Sequence, residues 1–322
     1  MILVDYNGHD DTRKCLASLA GQDAAVVVID NASRDDRTPA LRAEFPRAHV
    51  VRSDVNGGWA GGNNRGIEYA LARGAELLIL LNNDTQATPD FVARLVAGAD
   101  AHPAHGILGP VIRFLEEPAK IQTMGAGFNR AGPDAFFSVI PVEPSAANPP
   151  AVVDVDVVNG CCLMVRRSVV EKIGLVDEAY FLIHEESDFC LRALAAGFRC
   201  GVLAADPVLH KGSSTFKREG QKLQRYYDAR NLVRLLKSHG RRGRGRAGGW
   251  KAYAKYAYHR YALEREGGNA ASAEAVLEGV YDALAGRYGA KSDRSRWGLW
   301  WLRCAAGFKF QVSSFKSKPK GG

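Results

Sequence analysis

Between Ile2 and Ala101 the chain alternates short apolar runs with amphipathic stretches, and most of the apolar runs stop abruptly on Asp and Asn. Ile2–Tyr6, Ala25–Asp30, Val50–Arg52 and Leu77–Leu81 read as short buried strands. Thr12–Leu19, Thr38–Phe45, Gly62–Ala72 and Pro89–Ala101 read as helices, with Asp10 or Asp11 available to cap the first and Pro89 suited to the first turn of the last. Strands joined through helices return parallel to one another, so the pattern predicts an α/β fold: a Rossmann-like, mainly parallel sheet flanked by helices. In such sheets ligands bind beyond the carboxyl ends of the strands. Three of the four ends here read Asp5-Tyr6-Asn7-Gly8, Asp30-Asn31-Ala32-Ser33 and Asn82-Asn83-Asp84. That coincidence is the first functional signal.

Further along, Pro141–Pro150 reads as an irregular connection, Val152–Val158 and Cys161–Val165 as strands, Glu186–Ala196 as a helix closed by Gly197, and Arg199–Leu203 as a strand. Beyond His210 the texture changes, and the charge changes with it. Through Asp206 there are 18 Lys and Arg against 27 Asp and Glu, a net −9; from Pro207 onward 25 stand against 8, a net +17. An acidic body over 1–210 thus carries a basic, aromatic-rich helical region over 211–322, and the two are expected to do different jobs. Within that region "HGRRGRGRAGG" has the composition of a mobile linker, and Trp250–Glu264 that of a helix. Near the end, Trp297, Trp300, Trp301, Phe308, Phe310 and Phe315 interleave with Arg294, Arg296, Arg303, Lys309, Lys316 and Lys318. Such a mixture suits an anionic membrane face, or else aromatics packed onto the body with solvated charges around them. No apolar run reaches eighteen residues, and the amino terminus enters a strand without the pattern of a secretory signal. The six cysteines show no C-x-x-C spacing and read as reduced core residues. The expected location is the cytoplasm, with peripheral attachment to the inner face of the plasma membrane open.

Four segments carry candidate chemistry. Asp84, behind Asn82 and ahead of Thr85, suits a hard divalent cation that keeps open positions for phosphate oxygens; the same residues are ordinary turn formers. "NGGWAGGNNRG" (Asn56 to Gly66) places glycines at the entry to a helix, where exposed N–H groups favour a phosphate, although no G-x-G-x-x-G spacing is present. "HEESDFCLR" (His184 to Arg192) sets Glu185, Glu186 and Asp188 at a helix start, either as dipole-stabilised acids or as the source of a general base. His210 becomes a ligand candidate only if the chain returns to the edge that holds Asp84.

In chain order, "VDYNG", "VVVIDNASRDD", "NGGWAGGNNRGI", "LLNNDT", the stretch from "VNGCCLMV" to "HEESDFCLRALAAGF", "HKGSST" and "YYDARN" resemble the family 2 glycosyltransferases, particularly the bacterial rhamnosyltransferase-like branch that builds cell-surface polysaccharides. The likeness runs from about Ile2 to Leu236. It implies a GT-A fold with a basic helical extension at the carboxyl end. The implied reaction is inverting, metal-dependent transfer of a sugar, rhamnose favoured, from a nucleoside diphosphate to a hydroxyl of a glycan or lipid-linked glycan. By position, Tyr6 and Asp30 would line the nucleotide pocket and Asn63 would help hold the nucleotide. Asn82-Asn83-Asp84 occupies the D-x-D position, so Asp84 would bind the Mg2+ or Mn2+ that bridges the diphosphate, with Asn82 and Asn83 beside the nucleotide. Gly160 would let backbone approach the donor sugar or acceptor, and His210 would contact the metal or diphosphate. Two positions depart from the family pattern: Asn82 replaces the first Asp, and Glu185-Glu186 stands where a Glu-Asp pair is usual. Glu186 is favoured as base, with Glu185 still open. Rival classes are a nucleotidyltransferase, a non-catalytic nucleotide-sugar binder, and a nucleic-acid binder. The last leaves the acidic strand tips unexplained, so nucleic acid is not expected as a partner.

Overall fold

The computed structural model describes residues 1–127, 151–212, 220–239, 244–293 and 297–306. The expected connection at Pro141–Pro150 lies outside them. The chain divides into two compact units. In the first, the strands are β1 (Ile2–Asp5), β2 (Val26–Asp30), β3 (Ala48–Arg52), β4 (Leu77–Asn82), β5 (Thr85–Ala87), β6 (His105–Phe114), β7 (Ile121–Thr123), β8 (Val152–Val155), β9 (Cys162–Arg166) and β10 (Arg199–His210). The helices are α1 (His9–Leu19), α2 (Thr38–Glu44), α3 (Gly58–Leu71), α4 (Phe91–Ala101), α5 (Arg167–Ile173) and α6 (Glu185–Ala195).

These strands form one sheet in the order β3-β2-β1-β4-β9-β6-β10-β5, with β7 on β6 and β8 on β10. The β3-β2-β1-β4 half is parallel, as expected. The other half is mixed: β9 runs antiparallel to both β4 and β6, and β5 runs antiparallel to β10. The expectation of a mainly parallel sheet therefore holds for one half only. Strand β6, the short β5 and β7 were not anticipated. His105–Phe114 includes Gly106, Gly109 and Pro110, residues that disfavour a strand locally, yet its backbone is paired by β9 and β10. Two cap expectations also change. Gly8, not Asp10 or Asp11, precedes α1, and Pro89 lies ahead of a left-handed Asp90 rather than inside α4.

Strand β4 is buried on both faces, which is why its sequence is an unbroken apolar run. Leu78 and Leu80 join Ile2, Ile67 and Val165 in one core; Ile79 and Leu81 join Leu3, Leu16, Val28 and Phe91 in the other. Helix α3 lies tight on β1: a Cβ at Gly62 would sit 2.6 Å from a Val4 methyl, and one at Gly66 would sit 2.2 Å from an Ile2 methyl. The close approach these glycines permit is therefore that of helix to sheet.

The second unit contains α7 (Gln221–His239), α8 (Arg244–Glu266) and α9 (Ala270–Leu284). "YYDARN" forms its core. Arg230 is buried, 4.7 Å over the Tyr227 ring and 2.6 Å from the Gly289 carbonyl, while the Tyr226 hydroxyl donates to Asp282 at 2.7 Å. A charge so enclosed is tolerable because its donors are paired and aromatic faces surround it. Helix α8 begins at Arg244, so the expected mobile stretch is helical from there on; arginine and alanine are strong enough helix formers to carry the glycines among them.

Candidate active site

The three polar residues at the tip of β4 have three different tasks. Asn82 accepts the Trp59 indole N–H through Oδ1 at 3.1 Å, which ties the tip to α3. Asn83 donates to Thr12 Oγ1 at 2.8 Å, which ties it to α1. Asp84 instead meets His210: Oδ1 lies 3.2 Å from Nε2, with both residues largely buried. The antiparallel pairing of β5 with β10 sets His210 opposite Thr85, and the Lys211 N–H donates to the Asp84 carbonyl at 3.0 Å. The chain therefore does return to the edge that holds Asp84. Nδ1 of His210 lies 2.9 Å from Gln122 Oε1, and the Lys211 ammonium is 2.8 Å from Asp11.

One carboxylate oxygen and one imidazole nitrogen converge here, and among the described residues no group of three or more His, Cys, Asp or Glu forms a metal cage. A donor pair of this kind fits a divalent ion that takes most of its coordination from water and substrate phosphates rather than from protein.

At the tips of β1 and β2 lies a second polar corner. Asp30 is buried, accepting the Ser33 N–H at 3.3 Å and the Arg52 guanidinium at 2.8 Å. Asp5 accepts the Gly8 N–H at 2.9 Å, and burial pushes its carboxyl above the usual range. Asn7 and Ala32 turn the chain out of the two strands with φ of 53° and 59°. Asn7 Nδ2 and Ser53 Oγ are enclosed without a protein partner. Each such group costs about 1–3 kcal/mol if left unpaired. Tyr6, half-buried, stands at the end of β1 beside it.

Glu185 and Glu186 open α6 behind a backbone in a sparsely populated conformation: Phe181, Ile183 and His184 have φ of 64°, 70° and 73°. Strain of this kind costs about 1–3 kcal/mol per residue and persists only where surroundings enforce it. The enforcing element is α3. The Phe181 carbonyl accepts the Trp59 N–H at 2.8 Å, and Asn64 donates to the Val176 carbonyl at 2.8 Å and to Glu178 at 2.9 Å. Gly58, at φ 69°, leaves room for that carbonyl, since a Cβ there would lie 2.2 Å from it.

The two glutamates differ in environment. Glu185 is 5% exposed, its Oε2 has no partner, and burial followed by the neighbouring Glu186 charge raises its pKa well above the ordinary value. Glu186 is half-exposed and accepts the Ser187 hydroxyl at 3.2 Å. Gly160 faces its stem: a Cβ there would meet Glu186 Cγ at 3.4 Å and the carboxyl carbon at 3.7 Å, so packing does not demand glycine. Asp188 is held by Arg192 at 2.8 Å and by the Tyr180 hydroxyl at 3.4 Å, a structural arrangement.

The geometry corrects one sequence reading. The entry to α3 does not present free N–H groups to a phosphate. Gly57 N–H donates to Asn31, Gly58 N–H to Asn56, and Trp59 and Ala60 N–H to the Phe181 carbonyl. Asn63 is 2% exposed and its amide donates back to the Trp59 carbonyl at 2.9 Å, within the helix. Sequence reasoning missed Trp59, Asn64 and Gln122. Trp59 and Asn64 sit inside a segment whose glycines drew the attention, and Gln122 carries no local signal at all. Among the cysteines, Cys15, Cys161, Cys162, Cys190 and Cys200 are buried thiols as expected, whereas Cys304 is exposed.

A half-parallel sheet with polar strand tips and a carboxylate–imidazole pair at its edge has the GT-A fold of nucleotide-sugar glycosyltransferases. The similarities agree. The family model described as glycosyl transferase family 2 matches residues 2–174, and the chain belongs to that family. It is 26% identical over 246 residues to the dTDP-rhamnosyl transferase RfbF of Shigella flexneri, covering 74% of this chain and 79% of that one. It is 27% identical over 241 residues to the N-acetylglucosaminyl-diphospho-decaprenol L-rhamnosyltransferase of Mycobacterium tuberculosis, covering 67% and 76%. Among solved structures it resembles GalNAc-T7 with UDP, GalNAc and Mn2+ at a TM-score of 0.56 and 16% identity, over 73% of this chain and 47% of that one.

Proposed function

We propose that this glycosyltransferase moves a hexose, rhamnose favoured, from a nucleoside-diphosphate sugar to a hydroxyl of a glycan or lipid-linked glycan, with inversion at the anomeric carbon. The observation that carries the reading is the meeting of Asp84 with His210 at the strand-tip edge. Those two residues would hold Mn2+ or Mg2+, which when bound supplies positive charge to the departing diphosphate. The corner lined by Tyr6, Asn7, Asp30 and Ser53 would take the nucleoside. Glu186 would remove the proton from the acceptor hydroxyl as its oxygen attacks the anomeric carbon from the face opposite the diphosphate. One displacement of that kind inverts the centre, as single-step glycoside hydrolysis does. Burial favours the neutral form of Glu185, and the half-exposed Glu186 is the better placed of the two to meet an acceptor. The rhamnosyl relatives favour dTDP-rhamnose as donor and a lipid-linked acceptor in cell-surface polysaccharide synthesis. A thermal-shift panel of nucleoside diphosphates tests the site: dTDP or UDP should raise the melting temperature only with Mn2+ present, and equal shifts with EDTA would remove the metal from the reading.

The second unit supports a place for the enzyme on the inner face of an anionic membrane, in the cytoplasm. No helix among the described residues is long and apolar enough to cross a bilayer. In the helical segment 299–306, Leu299, Leu302 and Ala306 pack with Leu277, Tyr261 and Tyr281. Trp297, Trp300 and Trp301 point away, 87%, 49% and 65% exposed. Solvent-facing tryptophans at this spacing, in a region of strongly basic charge, have the character of an interfacial anchor. Of the other residues in the sequence pattern, Arg303 pairs with Glu274, and Arg294, Arg296, Phe308, Lys309, Phe310, Phe315, Lys316 and Lys318 lie outside the described residues. The full chain should co-sediment with phosphatidylglycerol vesicles and blue-shift its Trp emission. A Trp297→Ser/Trp300→Ser/Trp301→Ser variant that sediments equally well would exclude this face.

A further inference from the structure

We infer that Gln122 is a positioning residue for the metal site: it holds His210 in the tautomer whose Nε2 lone pair is free to bind the ion. The inference rests on the reading of Asp84 and His210 as the protein's metal ligands, and extends it to a residue that contacts neither the ion nor the substrate.

Two independent features of the fold lead to Gln122. The first is the hydrogen bond from the ring. Gln122 Oε1 is 2.9 Å from His210 Nδ1, while His210 Nε2 faces Asp84 Oδ1 at 3.2 Å. An amide oxygen only accepts, so with Oε1 toward the ring this contact favours the proton of a neutral ring on Nδ1, with Nε2 left as an acceptor. A bare Nε2 facing a carboxylate oxygen is two lone pairs set against each other, an arrangement that becomes favourable when a cation takes both. Metal-binding histidines generally donate their other ring N–H to an oxygen acceptor in this way, which fixes the ring and raises ligand basicity.

The second feature is the backbone that delivers the side chain. In the β6–β7 pair, Ile112 is opposite Thr123 and Arg113 is opposite Ile121. Gln122 is thus the extra residue between two paired positions, a bulge in a strand of only three residues. Regular pairing would assign Gln122 a partner on β6 and the pleat would aim its side chain accordingly. A bulge removes that constraint and re-aims the side chain, and bulges recur beside active sites for this purpose. The His210 side of the contact is equally fixed, since its carbonyl accepts the Leu115 N–H at 2.9 Å and its strand pairs with β5 and β6. No local sequence signal marks Gln122, because its role depends on a ladder irregularity and on a histidine far along the chain.

Mn2+ affinity, read by electron paramagnetic resonance in the presence of dTDP or UDP, tests the inference without relying on turnover. Gln122→Leu keeps the side-chain bulk but accepts no hydrogen bond, and should weaken Mn2+ binding about 10–100-fold. Gln122→Glu accepts from the ring even better, and should retain or tighten it. In 15N spectra, the His210 ring signal, assigned by its loss in His210→Ala, should report the Nδ1–H tautomer in wild type and Gln122→Glu and a shift away from it in Gln122→Leu. Unchanged Mn2+ affinity in Gln122→Leu would overturn the inference, as would equal losses in Leu and Glu variants, which would point to packing. If His210→Ala itself leaves Mn2+ binding intact, the metal reading fails and the role of Gln122 fails with it, a result distinct from a Gln122 variant failing alone.

Discussion

Glu186→Gln is expected to reduce the rate of sugar transfer by about 10²–10⁴-fold while nucleotide binding stays close to wild type, because a positioned general base contributes on that scale and the amide keeps the shape without the basicity. The loss should fall on kcat, with KM for the donor little changed, since the proton is removed only as the acceptor attacks. The informative control is Glu185→Gln. Glu185 is enclosed and burial raises its pKa, which favours the neutral form, and an amide is a close replica of that form. That variant should keep most of the rate. If the two outcomes were exchanged, with Glu185→Gln dead and Glu186→Gln active, the roles assigned from exposure would be reversed. Steady-state transfer assays alongside calorimetric nucleotide titration separate these cases.

Asp84→Ala is expected to have the second large effect, a fall in kcat/KM on the order of 10²–10³-fold together with loss of the Mn2+-dependent part of nucleotide affinity. A metal that stabilises charge on a leaving diphosphate contributes several kcal/mol, and about 1.4 kcal/mol corresponds to tenfold. Among the described residues Asp84 supplies the carboxylate that meets His210, while Asn82 and Asn83 beside it are bonded to Trp59 and Thr12. Metal titration of nucleotide binding by wild type and variant gives the answer. An unchanged Mn2+ dependence in Asp84→Ala would locate the ion elsewhere.

The two effects differ in kind, which makes the pair more informative than either alone. Loss of the base removes a step in chemistry and spares the complex, whereas loss of the metal ligand removes charge that the nucleotide senses before reaction. The strained stretch from Phe181 to His184 lies between these functions. Its carbonyl at Phe181 is held by the same Trp59 whose indole holds Asn82, so one residue links the β4 tip to the loop that delivers Glu186.

Much of this protein was legible in its sequence for a local reason. Unbroken apolar runs follow from strands buried on both faces and period-3.6 patterns from helices with one buried side, so β1, β2, β4, α3 and α6 could be read directly, and so could the Asp and Asn residues at strand tips. The family motifs added the order in which those tips occur. What the sequence left open concerned partners. Glycines in the Asn56–Gly66 segment looked like room for a phosphate and proved to be room for β1 and for the Phe181 carbonyl. Glu185 and Glu186 are adjacent and chemically equivalent on paper; the fold buries one and half-exposes the other.

The sequence by itself determined β1 to β4, most of the helices and where their polar ends fall, because those depend on neighbours within a few residues, whereas β5, β6 and β7 depend on distant pairing. Only the tertiary structure decided that Asp84 faces His210, that Gln122 faces the other side of that ring, and that Asn82 and Asn83 turn away. Those choices follow from strand order, antiparallel register and a single bulge, which bring together backbone from distant parts of the chain and leave no periodic trace in it.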